Sequence, residues 1–313
     1  MIDNNYSVDV IIPVYNPDAE FRKVIELLKI QTYPINKIII MNTEERYWNP
    51  MLERDNSVLE VHHVTKAEFD HGATRSEGAS YSSADIIVFM TQDALPDNNY
   101  LIEELIKPFE PGFKTDVPVA ASYARQLPNE ECGVIERYTR SFNYPEASVV
   151  KSAKDVEKLG IKTFFCSNVC AAYKKEYFDK LGGFIKKTIF NEDMIFAGHA
   201  VKAGYAIAYQ ADARVIHSHN YTCMQQLHRN FDLAVSQADN PDVFKDVPSE
   251  SEGIKLVKQT AKYLFKIKKP WLVFELVFKS GFKYLGYLLG KRYKKLPKKM
   301  VLACTMNKEY WKR

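Results

Sequence analysis

Ile86 to Met90 is an unbroken run of five apolar residues, and polarity returns at once with Thr91-Gln92-Asp93. Such a run fits a strand covered on both faces, the environment of a parallel sheet. Open α/β sheets bind ligands just beyond the carboxyl ends of their strands. Asp93 falls in that position, where a carboxylate can hold a divalent cation against phosphate groups.

The preceding chain supplies the rest of such a sheet. Val8 to Val14 reads as a first buried strand, with turn residues Tyr15-Asn16-Pro17-Asp18 behind it and a helix from 19 to 30. Lys37 to Met41 and Val58 to Val64 read as further strands. Residues 68 to 75 read as a loop and 76 to 82 as a helix leading into Ile86. Strand, helix, strand, strand, helix, strand is the order of a nucleotide-binding α/β half. Neither GxGxxG after the first strand nor GxxxxGK[ST] anywhere is present, which argues against a dinucleotide fold or a P-loop ATPase. Positive charge for phosphates must come from elsewhere, and a cation on Asp93 assisted by Arg75 would supply it.

Further on, helix spacing recurs at 99 to 109 and strand spacing at 117 to 125, before a stretch from 126 to 162 rich in charge and aromatics that gives no clear period. Residues 163 to 173 return to a buried pattern, and 174 to 181 read as a helix stopped by Gly182-Gly183. Asn191-Glu192-Asp193 opens a helix to Ala203. Acids in a first helical turn suit the helix dipole, so capping alone accounts for them; a catalytic acid pair accounts for them as well. A strand from 206 to 217 ends in His217-Ser218-His219, a helix spans 223 to 239, and 240 to 253 reads as a polar linker.

Charge divides the chain sharply. From Lys255 onward, 17 basic residues face two acidic ones, a surplus of +15 that leaves −11 for the first 254 residues. Within the basic stretch, 271 to 289 is apolar and aromatic but carries Glu275, Lys279 and Lys283 four apart, hence on one helical face. The opposite face would hold Leu272, Phe274, Leu276, Val277, Leu285, Tyr287 and Leu288. Basic clusters flank it on both sides. A peripheral helix on an anionic membrane fits this pattern, each basic residue near such a surface adding about 1 kcal/mol. A helix packed on the main domain with a solvated basic rim fits it too. Nucleic acid is not an expected partner. Five cysteines without a CxxC pair indicate neither a disulfide framework nor a zinc ribbon. Met1 to Ser7 lacks the layout of a signal peptide, so a cytoplasmic location is expected, peripheral on the inner face of the membrane.

Taken together, Ile12-Pro13-Val14-Tyr15-Asn16, Arg75, Asp93, Gly182-Gly183-Phe184, Glu192-Asp193 and His217 resemble the inverting GT-A glycosyltransferases of family 2 over residues 8 to 238. Phe69 to Arg75, Thr91 to Ala94, Arg125-Gln126 and Ser167-Asn168 resemble bacterial rhamnosyltransferases within it. The resemblance implies a Rossmann-like GT-A sheet with flanking helices and a C-terminal basic helical tail. It implies a nucleotide-sugar half at about 1–125, an acceptor half at 126–238, a linker at 239–253 and the tail at 254–313. By the same resemblance, Pro13, Tyr15, Asn16, Asn42, Thr43, His71, Arg75, Gln92 and Asp93 would bind the nucleotide sugar. Asn42-Thr43 stands where relatives often carry an acid pair, and Thr91-Gln92-Asp93 where many carry Asp-x-Asp. Arg125, Gln126, Ser167 and Asn168 would meet the acceptor. Asp93, His217 and His219 would hold Mg²⁺ or Mn²⁺.

Inversion needs a base to take a proton from a sugar hydroxyl, and Asp193 is the expected base with Glu192 orienting it, the two roles being exchangeable. The expected reaction is transfer of L-rhamnose from dTDP-L-rhamnose to a glycan, lipid-linked, in cell-surface polysaccharide synthesis. A UDP-hexose donor, or a membrane-bound nucleotide-sugar scaffold without turnover, are the competing readings.

Overall fold

The computed structural model describes residues 6–247 and 250–312. In chain order its strands are β1 (Val8–Tyr15), β2 (Lys37–Thr43), β3 (Leu59–Val64), β4 (Ile86–Met90), β5 (Leu95–Pro96), β6 (Val119–Leu127), β7 (Val149–Lys151), β8 (Cys170–Lys174) and β9 (Ala206–Ile216). Its helices are α1 (Ala19–Lys29), α2 (Pro50–Arg54), α3 (His71–Ser80), α4 (Leu101–Ile106), α5 (Val134–Asn143), α6 (Val156–Leu159), α7 (Lys175–Lys180), α8 (Glu192–Lys202), α9 (Cys223–Asp239), α10 (Pro241–Phe244), α11 (Glu250–Lys266), α12 (Leu272–Lys291) and α13 (Lys298–Cys304). Contacts group them into two units. The first comprises residues 1–127, 144–187 and 192–217; the second comprises 128–143, 188–191 and 218–313.

The first unit is built on one mixed sheet in the order β3-β2-β1-β4-β8-β6-β9-β5, with β7 also on β9. β1 to β4 run parallel, β8 is antiparallel to both its neighbours, and β6 and β9 are parallel. β4 is buried at all five positions and lies between β1 and β8, as its apolar run requires. Because β8 runs backwards, the chain entering it at Ser167-Asn168 lies at the sheet end where β1, β2 and β4 finish. This one edge gathers the chemistry.

α1 begins where Asp18 accepts from the amides of Glu20 and Phe21, and it buries Phe21, Val24, Ile25 and Leu28 on the sheet. α3 starts five residues before the expected helix. Asp70 caps it by accepting from Gly72 and Ala73, so the segment expected as a loop is its first turn. Gly72 lies against Ile185, where a Cβ would come within 2.0 Å of the carbonyl oxygen.

In the second unit, α9 and α12 pack lengthwise. Gly286 and Gly290, four apart, sit directly on the α9 backbone; a Cβ at either would lie 2.2 to 2.3 Å from the Leu227 or Phe231 carbonyl oxygen. Leu276 and Tyr287 are buried on the packed side. The expected orientation of α12 is therefore corrected. Lys279 and Lys283 do not mark a solvent face: the Lys279 side chain is only 18% exposed, and burial holds the Lys283 ammonium below the usual lysine range, against the pull of Glu136. Residues 240–247, expected as linker, carry α10 with Val243 and Phe244 buried.

Candidate active site

The ends of β1, β2, β4, β6 and β9, the loop before β8, and the helices α3 and α8 supply the site. At the end of β1, Asn16 adopts a left-handed conformation (φ 48°), which asparagine tolerates, and turns the chain over the sheet edge. Gln92, just past β4, accepts from the Tyr15 amide at 2.7 Å and donates back to its carbonyl at 3.3 Å. This exchange ties the loop bearing Asp93 to the end of β1. The Tyr15 ring is exposed, with Tyr47 edge-on at 5.4 Å and the Lys66 ammonium 5.5 Å from its centroid. Pro13 lies just inside. Asn42 and Thr43, at the end of β2, are buried; the Asn42 amide donates to the Glu44 carbonyl and meets His63 Nδ1 at 2.9 Å. Asn42 thus braces the turn at Glu44, itself at φ 66°. Tyr47 and Lys66 were not expected here. Neither belongs to a motif, and only folding brings them to Tyr15.

The acid pair enters at the start of α8, where Asn191 at φ 64° redirects the chain. Glu192 is buried and forms an ion pair with Arg75 at 3.2 Å; Arg75 also donates to the His71 carbonyl. Asn168 connects the two acids: its side-chain amide donates to Glu192 (3.2 Å) and its backbone N–H to Asp193 Oδ2 (2.9 Å). The Tyr173 hydroxyl, from β8, fixes Asn168 in turn. The two carboxyls are driven apart. Burial alone would raise Glu192, but Arg75, then His71, outweigh it and hold this carboxyl below its usual range. Burial and the adjacent Glu192 charge push Asp193 up to about 7. Paired acids separated in this way are the mark of assigned acid and base roles.

A second chain of contacts runs from Ser167. Gln126, at the end of β6, donates to Ser167 Oγ at 2.9 Å and turns its carbonyl oxygen to His217 Nδ1 at 3.2 Å. The other ring nitrogen, His217 Nε2, lies 3.5 Å from Asp93 Oδ2. A carboxylate oxygen and an imidazole nitrogen this close are a donor set that suits Mn²⁺ or Mg²⁺, so the residues present fit a divalent cation. His219 follows two positions on, as the second residue of the other unit. Arg125 is half-buried and reaches Glu146 at 3.2 Å.

The site edge therefore joins expected residues in two connected strings, Arg75-Glu192-Asn168-Asp193 and Ser167-Gln126-His217-Asp93. Tyr15 and Gln92 lie alongside.

Among proteins of known function, the chain is 36% identical over 306 residues to the O-antigen chain rhamnosyltransferase RfbN of Salmonella typhimurium, covering 97% of this chain and 96% of that one. It is equally similar, 36% over 310 residues with the same coverage, to the O-antigen chain rhamnosyltransferase WbaN of Salmonella anatum. Among solved structures, the mannosyltransferase PcManGT of Pyrobaculum calidifontis, in complex with GDP-Man and Mn²⁺, superposes with a TM-score of 0.61 at 14% identity, covering 94% of this chain and 90% of that one. That likeness shows a GT-A-like fold. Residues 9–182 match the family model for glycosyl transferase family 2. Fold, site and relatives agree: the chain is a glycosyltransferase and belongs to glycosyl transferase family 2.

Proposed function

We propose that this enzyme transfers L-rhamnose from dTDP-L-rhamnose to a lipid-linked glycan in O-antigen synthesis, with inversion, at the cytoplasmic face of the membrane. Both Salmonella relatives are O-antigen chain rhamnosyltransferases, which supports the sugar, and their match along nearly the whole chain supports carrying it over. The observation that carries the mechanism is the Asp193 carboxyl, held by the Asn168 N–H beside Glu192 and raised to about 7.

In this reading Asp193 is the base. It takes the proton of the acceptor hydroxyl as that oxygen attacks the anomeric carbon and the diphosphate leaves from the opposite side. The Asn168 N–H holds Oδ2 and so sets the carboxylate's direction. Glu192 is the orienting acid rather than the base, because Arg75 and Asn168 already engage it and keep it ionised. These contacts support Asp193 over Glu192 as the base.

Tyr15, flanked by Tyr47 and Lys66, meets the nucleobase, with Pro13, Asn16 and Thr43 around the ribose; Asn42 and Gln92 act by bracing those positions. Arg75 and His71 lie toward the diphosphate. Arg125, Gln126, Ser167 and Asn168 border the acceptor. Asp93, His217 and His219 would hold Mg²⁺ or Mn²⁺, which supplies positive charge against the departing diphosphate. The basic stretch 254–313 holds the enzyme on an anionic membrane surface.

A donor panel tests the reading. Purified enzyme is given dTDP-L-rhamnose or UDP-hexoses with membrane lipid extract as acceptor source, and nucleoside diphosphate release is followed. Release confined to dTDP-L-rhamnose is expected. Equal or faster release from a UDP-hexose overturns the donor; donor binding with no acceptor-dependent release from any donor favours a scaffold.

A further inference from the structure

The large apolar side chains that the structure leaves in solvent concentrate in the second unit, and on α12 they form a stripe. Trp271, Phe274, Val277, Phe278, Tyr284 and Leu285 recur at three- and four-residue spacing and are all exposed, Phe274 to 76% and Phe278 to 65%. Exposed Glu275, paired with Lys279 at 2.8 Å, borders the stripe between Trp271 and Phe278, and exposed Gly281 continues it. It lies opposite the Gly286 and Gly290 face that packs on α9. Stability of the α9–α12 pair therefore does not explain it. A helix ordinarily buries its aromatics and exposes its small residues; here the arrangement is reversed.

Charge surrounds this stripe in a defined way. On the α11 side, Lys258, Lys262, Lys266, Lys268 and Lys269 are exposed, with exposed Phe265 among them. Beyond the other end of α12, Lys291, Arg292, Lys294, Lys295, Lys298 and Lys299 are exposed. An uncharged aromatic stripe between two lysine-rich ends matches the layers of a bilayer surface: acyl chains under the rings, anionic headgroups beside the ammonium groups. Among the described residues no helix is long and apolar enough to cross a membrane.

We infer that the outward stripe of α12 is an insertion face. It lies in the plane of a leaflet rich in anionic lipid, with Trp271, Phe274 and Phe278 below the headgroups and the two basic clusters among them. This deepens the proposed membrane location by naming the face, and it turns that face away from Leu276 and Tyr287, which are committed to the protein. It does not depend on the donor or on Asp193. Nucleic acid would engage the lysines but leave no role for an uncharged stripe of this length.

The test uses the full chain and phosphatidylcholine vesicles with or without phosphatidylglycerol, in the absence of any sugar donor. Co-sedimentation is expected with phosphatidylglycerol vesicles only, weakening with salt. Lipids brominated on the acyl chain should quench tryptophan fluorescence, and Trp271→Phe should remove most of that quenching. Phe274→Ser with Phe278→Ser alters two exposed side chains and should leave the thermal melt unchanged while lowering vesicle partitioning at least about tenfold. Lys268→Glu with Lys269→Glu should weaken binding without changing the melt. The inference is overturned if anionic vesicles do not bind, or if neutral vesicles bind equally. Quenching that survives Trp271→Phe overturns it too, as does a serine pair that abolishes a concentration-dependent dimer rather than vesicle binding. Loss of transferase activity with vesicle binding intact would count against the catalytic reading alone.

Discussion

A carboxyl that must accept a proton near neutrality needs a neighbourhood that raises its affinity for protons, and Asp193 obtains it from burial and from Glu192. Only the ionised form can act as base. If Asp193 is the base, kcat/KM rises with pH through a limb near 7, and Asp193→Asn lowers turnover by about a hundredfold or more. A pH–rate profile of both proteins checks this. Glu192→Gln removes the negative neighbour, so the Asp193 pKa falls and the limb moves to lower pH. The same change strips the ionic partner from buried Arg75, at a cost on the order of 3 kcal/mol. A downward limb shift together with a lower melting temperature is expected; an upward shift would refute the coupling. Gln126 fixes the His217 ring, so Gln126→Ala should weaken Mn²⁺ binding by about tenfold or more, measured by calorimetry without donor. Asp93 and the acid pair were legible as residues because they stand at a strand end and a helix start; Arg75, which lies within α3, was legible through the resemblance. Their partners were not: the Asn168 bridge and the Tyr15–Tyr47 contact join segments far apart in sequence, and no local pattern encodes them.

At the level of elements, apolar runs located the strands closely. The predicted bounds of the Ile86–Met90 strand and of the helix from 223 to 239 coincide with β4 and α9. α3 began earlier than its pattern suggested because His71-Gly72-Ala73-Thr74 offers no apolar period; its start is set by the Asp70 cap and by close approach at Gly72. α12 shows a different limit. Its amphipathic spacing was readable, but which face turns inward was not, since two glycines rather than large apolar residues make the closest contact with α9. Gly286→Ala tests that packing directly. A methyl group placed against the Leu227 carbonyl must push the helices apart, and chemical denaturation should show a loss of about 1–3 kcal/mol. An unchanged midpoint would mean that α12 is not held there.

Over the whole molecule, the nucleotide-binding half was the more legible. β1 to β4 follow one another with parallel pairing and short connections. The order β4-β8-β6-β9 was hidden, because antiparallel insertion of β8 depends on pairing with β4 across 80 to 88 residues and with β6 across about 50. That insertion is nonetheless what carries Ser167-Asn168 to the edge where β4 delivers Asp93, and so brings the proposed base, its Asn168 bridge and the proposed cation ligands together. A single raised carboxyl acting as base, as proposed for Asp193, implies a single displacement. The anomeric configuration of the newly formed bond therefore tests the account most directly, read by NMR on the product made from dTDP-L-rhamnose. Configuration opposite to that of the donor is predicted; retained configuration would contradict the assignment of Asp193 as a base in a direct attack.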